Sequence, residues 1–421
     1  WLKPSRPEAQ AVLGARCKCY TIKLPHKKMR CLLASPVLAA TAAFLHGCSM
    51  GGVFRELERE PSGTSEGGSR NFDKRAQAGV FSLNARKWGG GLRLAIAVSP
   101  VASNGQALAA QDLVLDTGSS TLAFCDTEIA PQLGDSARLN YMSCNLYNPG
   151  GATTGYWGRF YQGAVDLEGG VEIKDAVFSV MDAEESMPCK DGFQGIFGIA
   201  FKQLDMAYPY EDLGPTMGKS ACPQEPVADI VQPLMKALKS SAGAQRLGIH
   251  WSGRVGDGEG ALYMEEAATS NPHYRRGSVV GVAALGEIGW YDITIQKMEI
   301  ASAQRSWVAS DFGCSPTSSD KACIMDTGTP GITVPKDVLA LITRLAEQGQ
   351  PLGSLSVQLQ GAAGGAPVTL ELDLATLVDN QWIQASAGEG VILGLPLWAA
   401  YYTVFDIAAS TVTFVSRAAD G

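Results

Sequence analysis

From about residue 77 onward, apolar and β-branched residues fall into short runs broken by Gly, Pro, Asn and Asp. The runs cover 92–98, 112–115, 163–167, 176–181, 261–264, 292–300, 354–359, 368–372 and 401–406. Runs this short, bounded by turn-forming residues, predict strands, which need only a few residues to cross a sheet. Two stretches read as helices instead. Residues 228–239 precede a Ser/Gly cluster, and Lys336–Glu347 is entered through Pro335, whose fixed φ suits a helix start. The pattern predicts a mainly β fold with many turns.

The same order of events occurs twice. Leu113-Val114-Leu115 runs into Asp116-Thr117-Gly118-Ser119-Ser120, and Ile324-Met325 runs into Asp326-Thr327-Gly328-Thr329-Pro330. Each is followed later by an apolar-apolar-Gly segment, Gly195-Ile196-Phe197-Gly198-Ile199-Ala200 first and Val391-Ile392-Leu393-Gly394-Leu395 second. A given tripeptide arises by composition roughly once in several thousand positions, so two matched copies point to an internal duplication. The period is far longer than that of a solenoid. Two carboxylates in equivalent settings are what a carboxylate dyad needs: like charges close enough to share one proton and hold a water.

Composition places this in a globular protein. The 421 residues are 46% hydrophobic and 18% charged, enough for two or three domains or one large bilobal one. The net charge of −8 is uneven: residues 1–75 carry 13 basic against 6 acidic residues, and the rest carries 21 against 36. An acidic body opposes nucleic acid as a partner. Lys27-Lys28-Met29-Arg30, an apolar stretch over 31–45 and small residues at 47–51 form a secretory signal pattern. The stretch is too short, and broken by Pro36, to read as a membrane span. Residues 52–76 are charged and Gly/Ser-rich and contain Asp73-Lys74-Arg75, as in a linker or short pro-segment. The body holds Cys125, Cys144, Cys189, Cys222, Cys314 and Cys323, an even number, as an oxidised protein would have. Sequence proximity suggests Cys125 with Cys144, Cys314 with Cys323 and Cys189 with Cys222, one of fifteen connectivities.

Over residues 90–417 the chain resembles the pepsin-like aspartic endopeptidases. The two Asp-Thr-Gly loops carry the resemblance, together with Asp191-Gly192-Phe193-Gln194-Gly195-Ile196-Phe197-Gly198, Gly289-Trp290-Tyr291-Asp292-Ile293, and Val391-Ile392-Leu393-Gly394 with Tyr401-Tyr402-Thr403-Val404-Phe405-Asp406. The resemblance implies a bilobal acid-protease fold: two duplicated β-rich lobes, 77–265 and 266–421, with the active site in the cleft between them. It implies that Asp116 and Asp326 are catalytic and bind one water, with no acyl-enzyme. It implies that Thr117 and Thr327 reach across to the opposite loop, that Gly118 and Gly328 let the backbone turn, and that Ser119 and Thr329 hydrogen-bond the outer carboxylate oxygens. Bulky apolar side chains are expected on either side of the cut bond.

The sequence departs from that family in three places. A flap hairpin should fall within 148–163, and Gly155-Tyr156-Trp157-Gly158-Arg159-Phe160 is its best match. The usual flap Tyr, three before Gly155, is Ala152, and the Trp that pairs with it, seven after Asp116, is Ala123. Gly155, Tyr156 and Trp157 are therefore the candidate flap residues. Pro330 replaces the Ser that commonly follows Asp-Thr-Gly-Thr and removes an N–H donor. Other signals carry less chemistry. Gly63-Thr64-Ser65-Glu66-Gly67 fits a nucleophile elbow but lacks the strand and helix one requires. Gly256-Asp257-Gly258-Glu259-Gly260 reads as a turn before strand 261–264. His26, His46, His250 and His273 have no metal spacing. The expectation is a monomeric aspartic endopeptidase of peptide or protein substrates, with no metal, no cofactor and no anchor after the catalytic domain. It would be secreted or held in an endomembrane lumen. The alternative is a catalytically impaired pepsin-fold binding or inhibitor protein.

Overall fold

The computed structural model describes residues 79–88, 91–147, 154–168, 170–185, 189, 192–200, 206–213, 222, 227, 234–286, 290–314, 323–386 and 390–417. Backbone contacts divide the chain into residues 1–71 and 72–421, and only the second unit contains described residues. The signal pattern at 27–51, the segment 52–76, His26, His46 and the Gly63–Gly67 motif lie outside them.

The unit is mainly β. Its strands are β1 (Val80–Trp88), β2 (Gly91–Pro100), β3 (Gln111–Asp116), β4 (Leu122–Phe124), β5 (Arg138–Tyr147), β6 (Thr154–Leu167), β7 (Val171–Glu185), β8 (Gly195–Gly198), β9 (Ala207–Pro209), β10 (Arg246–Trp251) and β11 (Gly256–Met264). Then follow β12 (Ser278–Ala284), β13 (Ile295–Ile300), β14 (Arg305–Val308), β15 (Ile324–Asp326), β16 (Ile332–Val334), β17 (Ser354–Leu359), β18 (Val368–Asp373), β19 (Ile383–Ala385), β20 (Ile392–Gly394), β21 (Tyr401–Asp406) and β22 (Thr411–Ser416). Fourteen of them form one sheet in the order β12-β22-β21-β10-β11-β1-β2-β3-β8-β4-β7-β6-β5-β9. Two four-stranded sheets run β14-β13-β17-β18 and β15-β20-β16-β19.

Local pattern accounts for the elements. Along β17 and β18 buried and more exposed positions alternate strictly, the period-2 signature of a sheet with one face on the core. By contrast β8 is buried at every position, as its apolar run requires. Helix Lys336–Glu347 begins directly after Pro335 and buries Val338, Ile342 and Leu345, spaced so that all three fall on one face. The second helix is described over Leu234–Ala242; residues 228–233 of the expected 228–239 lie outside the described residues.

Two expectations are corrected. The glycine-rich 256–260 segment is no turn but the first half of β11, paired with β1 and β10. At Gly260 a Cβ would stand 2.8 Å from the His250 carbonyl and 3.1 Å from Leu83, so the glycines here admit close neighbouring strands. The cysteine pairing also differs. The bonds are Cys125–Cys189, Cys144–Cys222 and Cys314–Cys323, so only the last was expected. Sequence proximity misleads because the sheet brings remote segments together. Cys125 follows β4, which lies parallel to β7 and beside β8, the strands flanking Cys189. Cys144 lies on β5, whose partner β9 precedes Cys222.

The duplication is visible in strand pairing. β3 runs parallel to β8 with Asp116 opposite Gly198, β8 is antiparallel to β4, and β4 is parallel to β7. In the second copy β15 runs parallel to β20 with Asp326 opposite Gly394, β20 is antiparallel to β16, and β16 is parallel to β19. Both aspartates thus end a strand at the same register position. Gly195 opens β8 at φ +145°, where a Cβ would lie 2.0 Å from the Ala123 carbonyl and 2.8 Å from Leu113. Gly195→Ala should therefore cost about 3 kcal/mol or more from strain and overpacking, read as a lower urea midpoint with unchanged slope.

Candidate active site

Each Asp-Thr-Gly loop is held from below by the segment its strand pairs with. Ile199 and Ala200 donate their N–H groups to the carbonyls of Asp116 and Ser119, and Leu395 donates to Thr329, at 2.8–2.9 Å. Glycine is required beneath each loop for space. A Cβ on Gly198 would meet the Thr121 and Ser119 carbonyls at 2.6 and 2.7 Å, and one on Gly394 the Gly331 and Thr329 carbonyls at 2.1 and 2.6 Å. Trp290 Nε1 donates to the Gly118 carbonyl at 2.7 Å, and the Tyr291 hydroxyl donates to Ile199 O at 2.7 Å. This segment before β13 therefore braces the first loop and the strand end below it.

The loops are locked to each other by their threonines. Thr117 Oγ1 donates to Met325 O at 2.9 Å and accepts from Thr327 N at 2.9 Å; Thr327 Oγ1 donates to Leu115 O at 2.7 Å and accepts from Thr117 N at 3.0 Å. Both threonines are fully buried. Every donor and acceptor in this crossed arrangement is satisfied by the opposite loop, as burial of polar groups demands.

The carboxylates meet above that lock. Gly118 N donates to Asp116 Oδ1 at 2.8 Å and Gly328 N to Asp326 Oδ1 at 2.7 Å. A Cβ on Gly118 would stand 2.8 Å from Asp326 Cγ, and one on Gly328 would stand 2.5 Å from Asp116 Oδ1. Each glycine thus clears room for the opposite carboxylate, and neither needs a left-handed φ. The Cβ on Gly328 would also lie 3.0 Å from Asp326 Oδ1, so the two carboxyl groups face each other across the glycine. Thr329 Oγ1 donates to Asp326 Oδ2 at 2.6 Å, as expected. Ser119 does not do the same for Asp116: its Oγ is buried without a closed hydrogen bond, though it lies near enough to favour the charged form.

Burial, and then the neighbouring Asp326 charge, push the Asp116 pKa up to about 8, against the opposing pull of Ser119 and the Gly118 N–H. Solvent still reaches an edge of both aspartates, which are only partly covered. A group ringed by protein yet touched by water at one edge is a group that can exchange a proton with a bound molecule.

The hairpin residues expected to form a flap are placed differently from the dyad. Gly155, Tyr156 and Trp157 lie on β6, paired with Leu146, Asn145 and Cys144 of β5, and residues 148–153 lie outside the described residues. Tyr156 is fully buried with Ala123, Met181 and Ile196 and receives a 2.7 Å hydrogen bond from Asn145 Nδ2. Trp157 is 2% exposed and packs with Met142, Cys144 and Ala183. Sequence reasoning passed over Arg93, whose guanidinium is close enough to feel both carboxylates; a lone Arg inside the apolar run of β2 was the available signal. Among the described residues no cluster of His, Cys, Asp and Glu is arranged to hold a metal. No protein-family model matches the chain, and no curated protein matches it.

Two outcomes follow from this geometry. Thr327→Val leaves Thr117 N and Leu115 O buried without their partner, at about 1–3 kcal/mol for each unmet group. Its unfolding free energy should fall accordingly, and a cycle with Thr117→Val should be strongly non-additive. Asp116 keeps its proton in the folded chain where an unfolded carboxyl, with a pKa of about 4, has lost it. The folded state then holds more protons than the unfolded one, so this contribution to stability is lost as pH rises from about 4 through about 8. Urea midpoints between pH 5 and 8 should show that fall, and Asp116→Asn should flatten it.

Proposed function

We propose that the chain is an aspartic endopeptidase of the bilobal, pepsin-like kind, hydrolysing peptide bonds through a water held between Asp116 and Asp326. The reading rests on one observation above all: two Asp-Thr-Gly loops from duplicated strand motifs interlock so that each glycine makes room for the opposite carboxylate. Such an arrangement holds two carboxyls at contact distance, where they titrate as a pair and retain one proton between them.

The chemistry follows from that shared proton. The ionised carboxylate takes a proton from water as general base, and the water oxygen attacks the peptide carbonyl carbon. The protonated carboxyl donates to the carbonyl oxygen, giving a tetrahedral gem-diol. The C–N bond then breaks as a carboxyl proton passes to the departing nitrogen. The raised proton affinity of Asp116 suits it to the acid role. The crossed threonines keep the two groups from drifting apart, a positional demand at which errors of about 1 Å cost rate heavily.

The two copies of the strand motif are the cores of the two lobes in this reading, with substrate lying between them. Three disulfides suit a secreted or lumenal compartment, and no helix among the described residues is long and apolar enough to cross a membrane. The expected preference for bulky apolar residues beside the cut bond belongs to the same reading.

Asp116→Asn and Asp326→Asn should each lower kcat on a denatured-protein substrate by at least about a thousandfold while leaving the fold intact by circular dichroism. In the wild type, kcat/KM should decline on the alkaline side as the pair gives up its retained proton, no higher than about pH 8. Full-length protein that cleaves no denatured substrate anywhere between pH 3 and 8, after limited acid processing, would sink the proposal in favour of a non-catalytic binding protein.

A further inference from the structure

Among the described residues, Arg93 is a cation close enough to interact with both aspartates. Arg93 is the third residue of β2, and β2 pairs with β3 so that Ala95 faces Val114. Continuing that register by two residues sets Arg93 across from Asp116 on the same face. On its other side β2 pairs with β1, placing Arg93 opposite Arg86 and Gly91 opposite Trp88. The guanidinium lies over the Trp88 ring, 4.7 Å from its centre, and Trp88 itself packs on Ala95, Val114 and Phe193. Gly91 lets this corner close onto the second loop: a Cβ there would lie 2.6 Å from Pro330 Cβ and 3.1 Å from Arg93 Nη1. Arg93 is therefore wedged between the end of β3 and the Asp326–Pro330 loop.

The two arginines facing each other across β1 and β2 are treated differently. Arg86 is neutralised, 2.7 Å from Asp112 and 3.6 Å from Asp257. Arg93 makes no ion pair among the described residues. Its Nη1 donates to the carbonyl of its own neighbour Leu92 at 2.9 Å, and its Nε is buried without a partner. That accounts for one of five N–H donors. Burial lowers the Arg93 pKa to about 10 against the pull of Asp326 and then Asp116, so the group remains a cation at any pH relevant to the dyad. A desolvated guanidinium with unused donors is costly to maintain, and a ring beneath it fixes its plane. The neighbouring Pro330 has no N–H to offer substrate, whereas Arg93 has donors left over.

We propose that Arg93 is a specificity-determining residue that receives a carboxylate of the peptide substrate, an Asp or Glu side chain a few residues from the cut bond, in a forked pair of charge-assisted hydrogen bonds. The inference rests on the protease reading of the same site. A planar fork matched to a carboxylate discriminates strongly against the isosteric amide, which brings no charge and presents only one oxygen acceptor. The enzyme would then combine apolar recognition beside the cut bond with acidic recognition at one more distant position.

The test uses full-length protein and a peptide that the wild type cleaves, with Glu and then Gln placed at each flanking position in turn. The readout is the Glu/Gln ratio of kcat/KM within one enzyme preparation, so an overall loss of rate does not enter. At one position the wild-type ratio should reach at least about tenfold. R93Q should bring it to within about twofold of unity, and R93K, which keeps the charge but loses the fork, should fall between. A wild type with no such position, or an R93Q enzyme with the wild-type ratio, overturns the assignment. Should the wild type cleave no peptide, the protease reading fails. The same Glu and Gln pairs built into uncleavable statine peptides then decide the carboxylate preference by their dissociation constants: tighter Glu binding supports it and equal binding overturns it.

Discussion

The structure depends on one crossed pair of side chains. Thr117 and Thr327 each fill the other loop's hydrogen-bonding needs, donating to a strand carbonyl and accepting a backbone N–H. Neither hydroxyl has access to water, so breaking any one of these bonds exposes an unmet polar group in a low-dielectric setting. Two strand ends separated by more than two hundred residues are thereby fixed to each other at hydrogen-bonding precision. The carboxylates sit one residue before the threonines and inherit that precision. Like charges at contact distance repel, and the lock supplies the restraint that keeps them together.

The duplicated loops are equal in backbone and unequal in donors. Asp326 accepts from Gly328 N and Thr329 Oγ1, whereas Asp116 accepts from Gly118 N while Ser119 falls short of a closed bond. Hydrogen bonds to a carboxylate favour its charged form. The raised proton affinity of Asp116 comes from burial and then the adjacent Asp326 charge, which outweigh the opposing pull of Ser119 and the Gly118 N–H. The two copies of the loop thus differ at one donor position, Ser119 in the first and Thr329 in the second.

How much of this was legible in the sequence varied with the range of the interaction. Strands carried by a local apolar run were readable: Ser354–Leu359 and Tyr401–Asp406 coincide with their runs, as does helix Lys336–Glu347 behind Pro335. The equivalence of the two Asp-Thr-Gly loops was readable because each strand, loop and glycine segment has its own signature. Strand pairing across the chain was not. β11 begins in Gly256–Gly260 because β1 and β10 supply its ladder, and nothing in a Gly/Asp/Glu string announces that. Two cysteine partners were misjudged for the same reason, since Cys125 and Cys144 are joined to residues 64 and 78 positions away by sheet geometry. Arg93 escaped notice because its meaning lies in register: the β2–β3 pairing, continued two residues past Ala95 and Val114, sets it against Asp116.

The two residues absent from the expected flap belong to one exchange of volume. Ala123 lies on β4 between β7 and β8, and its small side chain takes up little of the volume beside it. A core at close-packed density does not tolerate a void of that size. Tyr156, reaching in from β6, occupies it, packing on Ala123 and Ile196 and tying its hydroxyl to Asn145 of β5. The aromatic ring thus comes from the hairpin instead of from the strand after the first loop, and it is anchored within the hairpin instead of across to that strand. The small residue at 123 and the buried tyrosine at 156 share one buried cluster, and together they make the base of this hairpin a packed core element.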